Sequence, residues 1–85
     1  MAEHEIGVVT HYFGRIGVAA VLLSDGVLKV GDTICIVGYT TDLELMVDSM
    51  EIEHQPVSEA RAGQEIGILV PEHVRQHDKV YKLQD

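Results

Sequence analysis

The chain has 85 residues, 46% of them hydrophobic, with one cysteine, no tryptophan and a formal net charge of −8. That length makes one domain, residues 1–85, whose stability margin is thin because so small a chain buries only about 60–65% of its unfolded surface. The acidity argues against non-specific DNA or RNA binding, no apolar run nears the roughly 18 residues of a membrane span, and the acidic N-terminus lacks a signal-peptide core.

Residues Ile6 to Phe13, rich in β-branched and aromatic side chains, predict a first strand. Phe13 to Gly17 is a turn, Val18 to Leu23 a second strand, and Ser24-Asp25-Gly26 a turn in which Gly26 takes positive φ. Val27 to Val30 is a short connecting segment closed by a Gly31-Asp32 turn. Thr33 to Val37 is the third strand, Gly38 ends it, and Tyr39 to Asp42 is a polar loop. Leu45 to His54 is a longer strand that changes parity, and a β-bulge near Asp48-Ser49 returns Leu45, Val47, Met50 and Ile52 to one core face. Gln55 to Ala60 is a connector, since Pro56 excludes a central strand there. Glu65 to Val70 is a strand stopped by Pro71. Glu72 to Asp78 is irregular, with at most one helical turn, and Lys79 to Leu83 is the last strand. Helical periodicity is sustained nowhere, so the chain reads as all-β. Gly7, Gly17 and Gly67 mark sharp coiling or close strand approach.

Three motifs stand out together. A glycine, two aliphatics, a lysine, an aliphatic, a glycine and an acid run from Gly26 to Asp32. Ala62, Gly63 and Gly67 form an Ala-Gly-x-x-x-Gly element, and a Gly-Arg turn feeds the strand in Gly14 to Val21. This order resembles the second domain of the translational GTPases, the barrel of elongation factor Tu and its relatives, over residues 5–83. The chain is also similar to small standalone translation-factor-like proteins and to the barrel appended to collagenase-like peptidases. The resemblance implies a small closed Greek-key-like β-barrel of six or seven strands. It is not expected to bring GTPase activity, since no GTPase domain is expected ahead of the barrel and these residues hold no Gly-x-x-x-x-Gly-Lys-Ser/Thr loop. Neither GTP nor any other cofactor is therefore expected. One departure falls before the last strand, where the family usually has a glycine and this chain has Gln76-His77-Asp78; it predicts a differently built final turn.

In the resembling family the Gly14-Arg15 turn lies on the RNA-facing surface, and a guanidinium at a turn tip suits phosphate recognition. The plainer reading is a solvated surface arginine. Lys29, Arg75, Lys79 and Lys82 add charge only if the fold gathers them at the same end. His73 and His77 would share a face if their segment were helical, yet two ligands fall short of a zinc site, and no metal is expected. Cys35 stands between core positions Ile34 and Ile36 and faces outward as an ordinary thiol. It cannot form an internal disulfide, which points to a reducing, cytoplasmic compartment. Glu51 and Glu53 share a strand face without a third catalytic group. With Ala19, Val21 and Leu23 turned inward, Val18, Ala20, Leu22 and Cys35 are left outside, an apolar interface candidate for a protein partner or a second copy.

The reading is a non-enzymatic binding or adaptor module linked to translation or RNA metabolism, with RNA or the ribosome as a partner. Two alternatives stand beside it. One is a structural protein–protein or dimerisation module, and the other an accessory subunit that presents RNA or substrate to a separate catalytic protein.

Overall fold

Strands form where apolar residues alternate, because a period of two puts one set inside and the other outside. In the computed structural model, which describes residues 2–84, ten strands follow in chain order. They are β1 (Ala2–Phe13), β2 (Val18–Leu23), β3 (Val27–Lys29), β4 (Thr33–Val37) and β5 (Asp42–Met46). Then come β6 (Met50–Ile52), β7 (Gln55–Val57), β8 (Glu59–Arg61), β9 (Glu65–Leu69) and β10 (Lys79–Gln84). Eight of them make one antiparallel sheet in the order β5-β4-β10-β1-β2-β9-β6-β7, and β3 pairs with β8 in a second, two-stranded ladder.

The large sheet curls so that its inner face meets itself in one core. That core joins Ile6 and Val9 of β1, Val21 and Leu23 of β2, Ile34 and Ile36 of β4, and Ile66 and Ile68 of β9, all at most 1% exposed. Two bulges in β1 produce the curl: the register slips once at Ile6 against β10 and once at Thr10 against β2. Gly7 sits where β2 presses closely on β1, since a Cβ there would lie 2.5 Å from the Leu22 carbonyl oxygen. The β3–β8 pair bridges the two ends of the large sheet. Val30 N–H donates to Ser58 O just after β7, and Gly31 N–H donates to Val47 O just after β5, at 3.0 and 2.8 Å. The fold is all-β as expected, but the closed barrel is not formed: the hydrogen-bonded ladder of the large sheet stays open between β5 and β7, and the small ladder is tied across the gap.

Ten strands stand where six or seven were expected, because short segments that read as connectors pair after all. Val27–Lys29 is β3, and the Pro56 segment is β7, an edge strand on which a residue without N–H breaks no second ladder. The long strand predicted over Leu45 to His54 is interrupted rather than bulged: β5 ends at Met46 and β6 begins at Met50. The parity argument holds all the same, with Val47 and Met50 buried and Leu45 and Ile52 packed against the core. Residues 72–78 contain no helical turn. They dock on β1 instead, through Val9 N–H to Asp78 O and His77 N–H to Val9 O, both 2.8 Å. The turn before β10 keeps the backbone that glycine would give, because His77 itself adopts φ 78°.

Candidate binding surface around the β1–β2 turn

The turn between β1 and β2 is closed by Gly17 N–H donating to Phe13 O at 2.9 Å, and Gly17 O in turn accepts from Val70 N–H at 2.9 Å. Gly14, Arg15 and Ile16 project from it into solvent, Ile16 being 66% exposed. The turn forms a ridge between two concavities of opposite character.

On one side is a cleft of about 590 Å³ lined by Gly14, His11, Tyr12, His73 and Arg75. The rings of Tyr12 and His73 lie 4.6 Å apart, and those of His11 and Phe13 4.4 Å apart. Arg75 is steadied by its Nε–H donating to Thr40 Oγ1 at 2.8 Å. The fold therefore brings one further cation, Arg75, to the side of the turn that carries Gly14. The lysines do not join it. Lys82 Nζ lies 3.2 Å from Asp32 and donates to Val27 O, and Lys79 Nζ lies 3.6 Å from Glu5. Lys29 is on β3, where its N–H donates to the Asp32 carboxylate. The histidine pair is also divided, since His73 faces Tyr12 while His77 lines a separate hollow with Tyr39. No group of three or more His, Cys, Asp or Glu able to hold a metal occurs among the described residues.

On the other side is a groove of about 450 Å³ across the outer face of β2, β9 and β6. Val18 and Ala20 of β2 and Gly67 of β9 form its floor, and Phe13 and Ile16 form an apolar wall. The predicted facing of β2 is correct. Ala19, Val21 and Leu23 are at most 1% exposed, whereas Leu22 is 40% exposed. Leu22 continues the same outer face beyond Ala20, opposite Glu65. Cys35 also faces outward, but β10 and β1 separate its strand from β2. It sits between Tyr81 and Glu44 and adds nothing to the apolar patch. Burial first, then Glu44, Glu3 and Asp42, raises its pKa, so the thiol is held protonated.

Three carboxylates rim the groove: Glu51, Glu53 and Glu65. Thr10, the residue that β1 leaves unpaired at its second bulge, places its hydroxyl 2.6 Å from the Glu65 carboxylate and holds it at the rim. Glu53 and His54 form the two-residue turn of the β6–β7 hairpin, with φ of 51° and 66°. That is the left-handed pair a tight hairpin turn demands, and it is usually met by Asn-Gly. Among the described residues none of the three carboxylates has an ion-pair partner. The sequence put Glu51 and Glu53 on one strand face; β6 ends at Ile52, so Glu53 reaches the groove from the hairpin turn and not from the strand. That Glu65, Phe13 and Ile16 join them was not legible, because they come from β9 and from the β1–β2 turn. The only local signal was a pair of large apolar residues flanking Gly14-Arg15.

No helix among the described residues is long and apolar enough to cross a membrane. Comparison with known proteins supplies the family. Residues 17–72 match the model for elongation factor Tu domain 2. The chain is 40% identical over 82 residues to an uncharacterized protease of Methanocaldococcus jannaschii, covering 95% of this chain and 20% of that protein. It is 41% identical over 79 residues to a collagenase of Porphyromonas gingivalis, covering 92% of this chain and 22% of that protein. The chain thus spans about a fifth of the length of the curated relatives it matches. In fold it is similar to the crystal structure of the C-terminal domain of a Geobacillus thermoleovorans protein classed among the U32 peptidases. There the TM-score is 0.87 at 18% identity, with 95% of this chain and 93% of that one covered. The chain belongs to the elongation factor Tu domain 2 family.

Proposed function

We propose that this chain is a non-catalytic recognition module serving a peptidase-type catalytic body, to which it presents a protein partner or substrate. One observation carries the reading: proteins named protease and collagenase share 40–41% identity with nearly all of this chain, which answers to only about a fifth of each. The remaining four-fifths of such relatives leave ample chain for the catalysis. A protonated, carboxylate-flanked Cys35 favours a binding rather than a chemical role for this part. The free thiol also fits a reducing, cytoplasmic setting. Affinity capture of the tagged chain from its own cells, with proteins and RNA both identified, tests the proposal. Recovery of a collagenase-like peptidase body, in the same polypeptide or a second one, is expected. Capture of ribosomal proteins and RNA with no such body would replace the reading.

A second reading, RNA contact at the turn, draws support from the cleft that sets Arg75 and two histidines beside Gly14. Under it, Arg15→Ala would weaken binding of a single-stranded RNA oligomer and reduce its salt slope by about one unit. Equal affinity and slope in the variant would remove Arg15 from any such site.

A further inference from the structure

We infer that the groove across β2, β9 and β6 is a docking site for a basic segment of a partner protein, one carrying an apolar side chain flanked by Lys or Arg. This goes beyond the peptidase reading and does not depend on it. The groove's shape and charge select the occupant together. Its volume, about 450 Å³, lies within the roughly 300–1,000 Å³ of ordinary ligand sites. Val18, Ala20, Phe13 and Ile16 offer apolar surface that a single aliphatic or aromatic side chain would cover. Glu51, Glu53 and Glu65 surround that surface, and neither Lys nor Arg lines it. Lys and Arg have long apolar stems that lie along such a floor while their heads reach carboxylates at the rim.

The same arrangement disfavours the other occupants. A symmetric pair of copies joined through this face would bring one set of three carboxylates against another, with His54 as the only basic side chain in the lining and no Lys or Arg to separate them. An RNA backbone would meet the same repulsion. Glu65 is fastened at the rim by Thr10, and Glu53 sits in a hairpin turn whose backbone holds it there. The Glu65 carboxylate and the Glu53 backbone are therefore placed before any partner arrives, which lowers the ordering cost of binding.

The test uses the full chain and three synthetic peptides: Lys-Leu-Arg-Leu-Lys, its Gln-Leu-Gln-Leu-Gln counterpart, and a Lys-only peptide. Fluorescence anisotropy reads affinity at low and high salt, and amide chemical shifts locate the contact. The first peptide is expected to bind better than the other two, more weakly at high salt, with shifts centred on Phe13, Ala20, Glu51 and Gly67. The triple variant Glu51→Gln, Glu53→Gln, Glu65→Gln should lose about tenfold in affinity at low salt. A control variant, Asp42→Gln, Glu44→Gln, Asp48→Gln, changes net charge equally away from the groove and should lose less than about threefold. Circular dichroism confirms that both variants stay folded. Equal loss in both, equal binding of the Lys-only peptide, or shifts centred elsewhere would overturn the proposal. So would a groove-mediated dimer in sedimentation, or an RNA oligomer that shifts the same amides more strongly than the peptide.

Discussion

His77 takes a φ of 78° in the turn that leads into β10. A residue with a Cβ costs roughly 1–2 kcal/mol in that conformation, while glycine gives back about 0.5–1 kcal/mol in lost chain entropy. His77→Gly should therefore raise stability by about 0.5–1 kcal/mol, read as a higher urea midpoint at unchanged slope. A lower midpoint would mean that contacts of the imidazole outweigh the backbone strain. The sequence placed an unusual residue at this turn and suggested a new geometry. The hydrogen bonds of residues 77 and 78 to Val9 hold the turn with a left-handed backbone at position 77 and leave the histidine to bear the strain. Cys35 shows a second residue-scale effect. Burial and then the nearby Glu44, Glu3 and Asp42 all disfavour the thiolate and move the pKa upward from 9.0. The thiolate is the nucleophile, so iodoacetamide should alkylate Cys35 more slowly than free cysteine at about pH 8 and catch up only at higher pH. Labelling at the rate of free cysteine would contradict that environment.

Strand β2 carries the clearest test at the level of an element. Its burial alternates without a fault from Ala19 to Leu23, with Leu22 outside and Leu23 inside. Leu23→Glu should cost more than about 3 kcal/mol, because it buries a charge without a partner. Leu22→Glu should change stability by less than about 1 kcal/mol and leave the circular dichroism spectrum intact. If Leu22→Glu unfolds the chain, the outer face of β2 is covered by something other than solvent. The facing of β2 and β4 was legible because alternation is local to each strand. The fate of Leu45 to His54 was legible only in part. The change of parity announced that the ladder had to break, and the four apolar residues do reach the core. Whether the break is a bulge or a gap depends on the neighbours: β5 pairs with β4, whereas β6 pairs with β9 and β7. One continuous strand cannot serve both ends of an open ladder.

The whole molecule is organised by distant pairings. The first strand, β1, pairs with the last, β10, and β2 pairs with β9. Closing such long loops costs chain entropy before any contact rewards it, so folding should take milliseconds to seconds. Stopped-flow circular dichroism, or tyrosine fluorescence in a chain without tryptophan, would measure this. A microsecond phase carrying the full amplitude would show that local hairpins dominate instead. Charge is also a property of the whole molecule. The eight acids of residues 32–65 are an even run on paper, yet the fold sends Asp32 to Lys82 and Glu59 to Arg61 and leaves Glu51, Glu53 and Glu65 around one groove.

The sequence by itself determined the all-β class, the positions of the main strands and turns, the faces that β2 and β4 present to the core, and the family motifs. Each of these is written in residues within a few positions of one another. Period-two alternation, turn glycines and Pro56 act through local backbone geometry. Only the tertiary structure decided that the gap between β5 and β7 is spanned by β3 and β8, and that Arg75 and not the lysines stands beside Gly14. It also decided that Phe13, Ala20, Glu51 and Glu65 line one groove. Which strands become neighbours is settled by how the whole set of apolar faces closes over a single core, and a pattern confined to one strand carries no record of its partners.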